Sequence, residues 1–147
     1  MIDRESLIRY TIMLLIAASY FYIFYDNYID DAYITLSYAN TLAKHGVWGM
    51  HSDLVSNSAT SPFNVILLSL FIFFIRDGLI SLYLFNIVIA AGIFYYLSKF
   101  SYRYFNTNTW AIIATSFLYL NPLLISTLGL ESYLFILIIL AICQYLS

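Results

Sequence analysis

Long uncharged runs dominate the hydrophobic pattern of this chain, and their lengths sort them into two classes. Tyr10 to Tyr25 carries no charge and follows Arg4 and Arg9. Leu79 to Ser98 is uncharged and leads into Lys99 and Arg103; Trp110 to Thr127 is uncharged, with Asn121-Pro122 near its end; Ser132 to Ser147 begins a further run. Crossing the hydrocarbon core of a bilayer takes ~20 helical residues, so these runs predict transmembrane helices over 7–25, 79–98, 109–127 and 132–147. Pro62 to Ile75 is shorter, fourteen uncharged residues closed by Arg76, Asp77 and Gly78. Runs of ~10 to 14 residues belong more often to interfacial or re-entrant segments, which predicts a surface helix over 62–76.

Between the first run and the short one lies a polar, acidic island, Asp30 to Phe63. Ala32, Leu36, Ala39 and Ala43 follow one another at i, i+4, i+7 and i+11, the spacing of a single helical face. Ser37, Asn40, Thr41 and Lys44 gather opposite, and Gly46 stands where a C-terminal cap belongs. An amphipathic surface helix over 31–45 follows. Val47 to Ser61, rich in Gly, Ser, Asn, Asp and Thr and flanked by the polarity of His45 and His51, predicts an ordered loop. The expected fold is all-α and integral to the membrane: a single module over 1–147 with about four transmembrane helices and, in a loop over 26–78, two juxtamembrane surface helices.

Composition agrees with that class. Hydrophobic residues make up 63% of the chain, aromatics 20% and charged residues 10%, far from the balance of a soluble domain. The net charge of -2 offers no basic stripe, which argues against a nucleic-acid partner. Cys143 is the only cysteine, so neither an internal disulfide nor a cysteine-based metal site can form.

Arg4 and Arg9 ahead of the first run mark a signal anchor; a cleaved signal peptide is the alternative, since Ala17-Ala18-Ser19 supplies small residues, although the apolar run continues past them. The positive-inside rule places the N-terminus in the cytoplasm and the acidic island outside. If Pro62–Ile75 crossed the bilayer, Lys99 and Arg103 would fall outside, against that rule. Left on the surface, with Arg76 snorkelling to the headgroups, it puts them inside and Glu131 on the same outer side as Asp30 and Asp31. The expected location is the cell inner (plasma) membrane, as a multi-pass protein in contact with membrane lipid.

The acids carry two readings each. Glu131, between two lipid-length runs, is favoured by the dipole of the following helix, or it faces a water-filled site. Asp30 and Asp31 are an N-cap and first-turn residue of the surface helix, or they do chemistry.

Asp31-Ala32-Tyr33-Ile34, followed by Tyr38-Ala39, Leu42-Ala43, Gly46 and Thr60-Ser61-Pro62, resembles the first outer loop of the GT-C glycosyltransferases. It is most similar to the bacterial branch of mannosyl- and arabinofuranosyltransferase-like membrane proteins. Gly129-Leu130-Glu131 resembles that group's second motif, Gly-Leu/Met-Glu, and the match runs in order along nearly the whole chain. The resemblance implies a polyprenyl-phosphate sugar donor, a glycan or protein acceptor outside the cytoplasm, and an inverting transfer. It places Asp31 on the family's general base, Asp30 on the commonly acidic neighbour and Glu131 on the second acidic position.

The chain departs from the pattern at Ser37, where the family carries arginine, and at Ser58-Ala59-Thr60-Ser61, where it carries Gly-Tyr-Thr-Ser. Thr60 and Ser61 remain as candidate substrate contacts. The leaving lipid phosphate needs cations or donors, for which Lys44, His45, His51 and Arg76 are the loop's candidates. Oxygen ligands from Asp31 and Glu131 would suit magnesium or manganese, though two carboxylates do not define a metal. Members of the class have further spans, so the chain is expected to be an N-terminal portion or a truncated product, inactive in transfer by itself. Two other classes stand beside this one. A non-catalytic membrane subunit or lipid-linked-sugar-binding protein would keep the fold. A small transporter would place ionisable residues within its spans, and 79–98 and 110–127 contain none.

Overall fold

A computed structural model describes residues 4–25, 28–56 and 58–146, with side chains from Ile8 onward. The fold is all-α: α1 (Arg4–Ile23), α2 (Asp30–His45), α3 (Pro62–Ile75), α4 (Gly78–Phe105), α5 (Thr109–Leu120), α6 (Pro122–Ile125) and α7 (Ser132–Leu146). Among the described residues there is no strand, only an isolated bridge between His51 and Leu54.

α4 is the axis of the molecule and packs against α1, α2, α3, α5 and α7. Its start is set by Asp77, whose carboxylate accepts from the Ile80 N–H at 2.9 Å, a side-chain cap for donors that have no partner within the helix. Just before it, Arg76 adopts φ 66° and ends α3. α4 continues to Phe105, past the Ser98 boundary that the uncharged run predicts, because Lys99 interrupts hydropathy without interrupting the backbone. The Lys99 ammonium lies over the Tyr95 ring, 4.6 Å from its centroid, and the helix stops only where Asn106 turns left-handed at φ 52°.

Among the described residues α4 is the one helix long and apolar enough to cross a membrane; residues 8–23, 62–75, 109–120 and 132–146 form shorter apolar helices. The segment expected as one helix over 109–127 is divided. Pro122 has no N–H and disfavours helical geometry at the residue before it, so α5 ends at Leu120 and α6 restarts at Pro122, its first donors capped by Asn121 Oδ1 accepting from the Leu123 N–H at 3.0 Å.

α1 and α4 run antiparallel. Tyr10 meets Phe94 edge to face at 5.0 Å, while Tyr25 meets Tyr83 at 6.0 Å, and the Tyr83 hydroxyl donates to the Ala18 carbonyl at 3.0 Å. α7 approaches α4 at Gly92, where an added Cβ would come within 2.7 Å of Leu137. Small residues are what permit close approach between apolar helices.

α2 is buried more broadly than a helix resting on a surface. Ala32, Leu36 and Ala39 are buried as their spacing predicts, and so are Thr35, Tyr38 and Thr41. α3 packs closely along α2, and the loop after Gly46 folds back so that the Met50 carbonyl lies 3.3 Å from the Thr41 hydroxyl.

Candidate functional site

The two acid-bearing segments, widely separated in sequence, meet at one glycine. Gly129 has φ 87°, a region costly for residues with a Cβ, and an added Cβ there would sit 2.7 Å from Ala32 Cβ, 3.3 Å from Tyr28 Cδ1 and 3.6 Å from Leu82 Cδ2. The Gly129-Leu130-Glu131 segment is therefore pressed against the first turn of α2, with Asp31 next to Ala32 in the chain. The Glu131 carbonyl accepts from the Phe135 N–H at 2.8 Å and so receives the first helical bond of α7. The N-termini of α2 and α7 thus lie near one another, and both present positive dipole ends to carboxylates.

Asp30 and Asp31 are exposed in the first turn of α2. The N-cap residue is Ile29, and no side chain caps the helix, which corrects the reading of Asp30 as N-cap. Glu131 is half-buried; its Oε2 is shielded from solvent and has no hydrogen-bond partner among the described residues. Two carboxylates fit a magnesium that keeps waters and substrate oxygens better than an all-protein cage. No group of three or more His, Cys, Asp or Glu side chains able to hold a metal occurs among the described residues.

The cationic candidates are not gathered with the acids. Lys44 and His45 lie exposed in the last turn of α2, ~20 Å along the helix axis from Asp31 at 1.5 Å per residue. His51 is exposed and belongs to the same end, since Met50 beside it contacts Thr41. Arg76 is exposed at the end of α3, its guanidinium 5.0 Å from the Phe73 ring centroid; Gly78, two residues on, abuts the Asn40 side chain in the middle of α2. Thr60 is exposed. Ser61 is buried at the start of α3, contributing its carbonyl to the Val65 N–H at 3.2 Å and no side-chain cap.

Sequence reasoning missed Tyr38 as a structural anchor. Its buried hydroxyl lies 2.7 Å from Ser56 Oγ and 2.8 Å from Ser58 Oγ, and accepts from the Ser58 N–H at 3.0 Å. The hydrogen bond with Ser56, then that with Ser58, pulls the Tyr38 pKa below its ordinary value. Serines in a polar stretch carry no signal of which distant hydroxyl they meet. Asn64 was missed too; it is buried on α3 with both amide atoms unpartnered among the described residues. The chain matches no protein-family model, no curated protein and no solved structure.

Proposed function

We propose that this chain is a multi-pass membrane protein with α1, α4, α5–α6 and α7 in the bilayer and α2 and α3 at its outer surface, and that it works as a GT-C-like glycosyltransferase module. The observation that carries the reading is the seating of Gly129 on Ala32, which draws Asp30, Asp31 and Glu131 toward one end of the helical bundle.

In the proposed reaction an acceptor hydroxyl attacks the anomeric carbon of a sugar held on polyprenyl phosphate. The bond from that carbon to the phosphate oxygen breaks with inversion, the proton passes to the Asp31 carboxylate, and polyprenyl phosphate departs. Asp31 stands exposed in the first turn of α2, where its carboxylate can meet that proton. Glu131, with one oxygen unpartnered among the described residues, holds an acceptor hydroxyl or a divalent ion against the same edge.

The test is turnover of a polyprenyl-phosphate sugar by a complete enzyme carrying this segment, in membranes and normalised to folded molecules. General-base catalysis contributes ~10²- to 10⁴-fold, so Asp31→Asn should lose turnover of that order with normal insertion, Glu131→Gln an intermediate amount and Asp30→Asn less. Near-normal turnover in Asp31→Asn would end the catalytic assignment. The distance of Lys44, His45 and His51 from the acids favours a second reading, a non-catalytic subunit that binds a lipid-linked sugar. That reading expects binding of the sugar lipid with no turnover to lose.

A further inference from the structure

An apolar cavity of about 200 Å³ lies where α1, α4 and α5 diverge, with Ala17 and Ala91 among the small residues that open it. Tyr10 and Tyr20 both line it from α1, and ten residues of helix separate them by ~15 Å. At the Tyr20 end stand the hydroxyls of Tyr119 and Thr115, each buried and without a hydrogen-bond partner among the described residues, and that of Tyr20, which faces the Tyr133 hydroxyl. Thr115 is only 2% exposed, and its hydroxyl does not make the bond to the carbonyl one turn back that helical threonines commonly make. The ring of Tyr133 stacks on Tyr119 at 5.0 Å, and its hydroxyl is directed to that of Tyr20.

An occupant that suits this lining is a hydrocarbon over most of its length and offers a hydrogen-bond acceptor at the Tyr20 end. Water would find its two to four polar partners only at the Tyr20 end, because the walls elsewhere are aliphatic and aromatic. A phosphate fits poorly as well, since no charged side chain lines the cavity and a buried unpaired anion is costly. We propose that the cavity holds one acyl chain of a membrane glycerolipid, inserted toward Tyr10, with its neutral ester carbonyl accepting from the Thr115 and Tyr119 hydroxyls. The assignment goes beyond the glycosyl-transfer reading and needs only that these helices lie in lipid.

The full chain is placed in nanodiscs of phosphatidylethanolamine and phosphatidylglycerol doped with a phosphatidylcholine bearing a diazirine on its acyl chain, illuminated, and its labelled peptides mapped. Labelling of Ala17, Ala91 and Thr115 is expected, and Ala91→Phe, which fills the cavity, should reduce it at least severalfold. Labelling of the exposed Phe74 should stay constant and serves as the control for insertion. Because Ala91→Phe risks overpacking, the isosteric Thr115→Val carries the test by itself, with a severalfold loss of glycerolipid retained through detergent extraction and recovery in Thr115→Ser. Absence of cavity labelling, equal retention in Thr115→Val, or displacement of the glycerolipid by added polyprenyl phosphate would each overturn the assignment.

Discussion

Gly129 and Gly46 share a left-handed backbone but not a setting, and the contrast tells which one the fold cannot change. Gly46 has φ 69° with open space where a Cβ would go, whereas Gly129 has φ 87° with Ala32 Cβ at 2.7 Å. The atom it would meet is fixed to the backbone of α2 and has no rotamer to escape through. Alanine at Gly46 should therefore cost only the conformational term, about 1 kcal/mol. At Gly129 strain and overpacking add, for a cost of roughly 2–4 kcal/mol. Thermal unfolding in detergent compares the two, and equal losses would mean that the two acid segments are not held by this contact. Tyr38→Phe removes three hydrogen bonds at one atom, each worth about 0.5–1.5 kcal/mol net. It should raise amide exchange and proteolysis within residues 47–61 while leaving α4 protected; unchanged exchange in that loop would show that Tyr38 does not tether it.

At the scale of elements, α4 depends on a single side-chain cap. Asp77→Ala removes the acceptor for the Ile80 N–H and should lower stability by about 1 kcal/mol, read as a shifted unfolding midpoint with helix content retained below it. Asp77→Ser, which keeps a capping oxygen, should recover most of the loss. The helices themselves were legible because long uncharged runs and punctuation at Gly46, Asp77-Gly78 and Asn121-Pro122 are local signals. The end of α4 was not legible, since Lys99 and Arg103 mark where lipid-like composition stops and say nothing of where hydrogen bonding stops. The breadth of α2's buried surface was hidden for a related reason: its spacing identifies one apolar face, while burial of Tyr38 and Thr41 depends on where a distant loop returns. In the candidate site, each acid was visible alone, but the meeting of Gly129 with Ala32 is a tertiary contact that no periodicity encodes. The tyrosine and threonine hydroxyls around the cavity fall within uncharged runs, and how they pair is a property of packing.

For the molecule as a whole, the basic residues that flank α1 and α4 at Arg9, Lys99 and Arg103 lie at the opposite end of that pair from Asp30, Asp31 and Glu131, with Arg76 and Asp77 on the acids' side. The antiparallel pairing of α1 with α4 sets Tyr10 beside Phe94, which puts Arg9 at the same end as Lys99 and Arg103, while Asp30, Asp31 and Glu131 share the opposite end through Gly129 and Ala32. α4 has 28 residues, a length of ~42 Å, more than the ~30 Å hydrocarbon core requires, so both of its ends can reach headgroups or water. α3 has 14 residues, ~21 Å, and packs along α2, which favours the surface over a crossing. In the proposed topology the positive-inside rule puts the Arg9 end in the cytoplasm. In a Cys143→Ser background, single cysteines replacing the exposed Ser52 and Ser126 should react with a membrane-impermeant thiol reagent added to intact cells, and one replacing the exposed Thr109 should react only after the membrane is opened. Labelling of Thr109→Cys in intact cells with protection of Ser126→Cys would place α3 across the bilayer and Glu131 on the opposite face from Asp30 and Asp31.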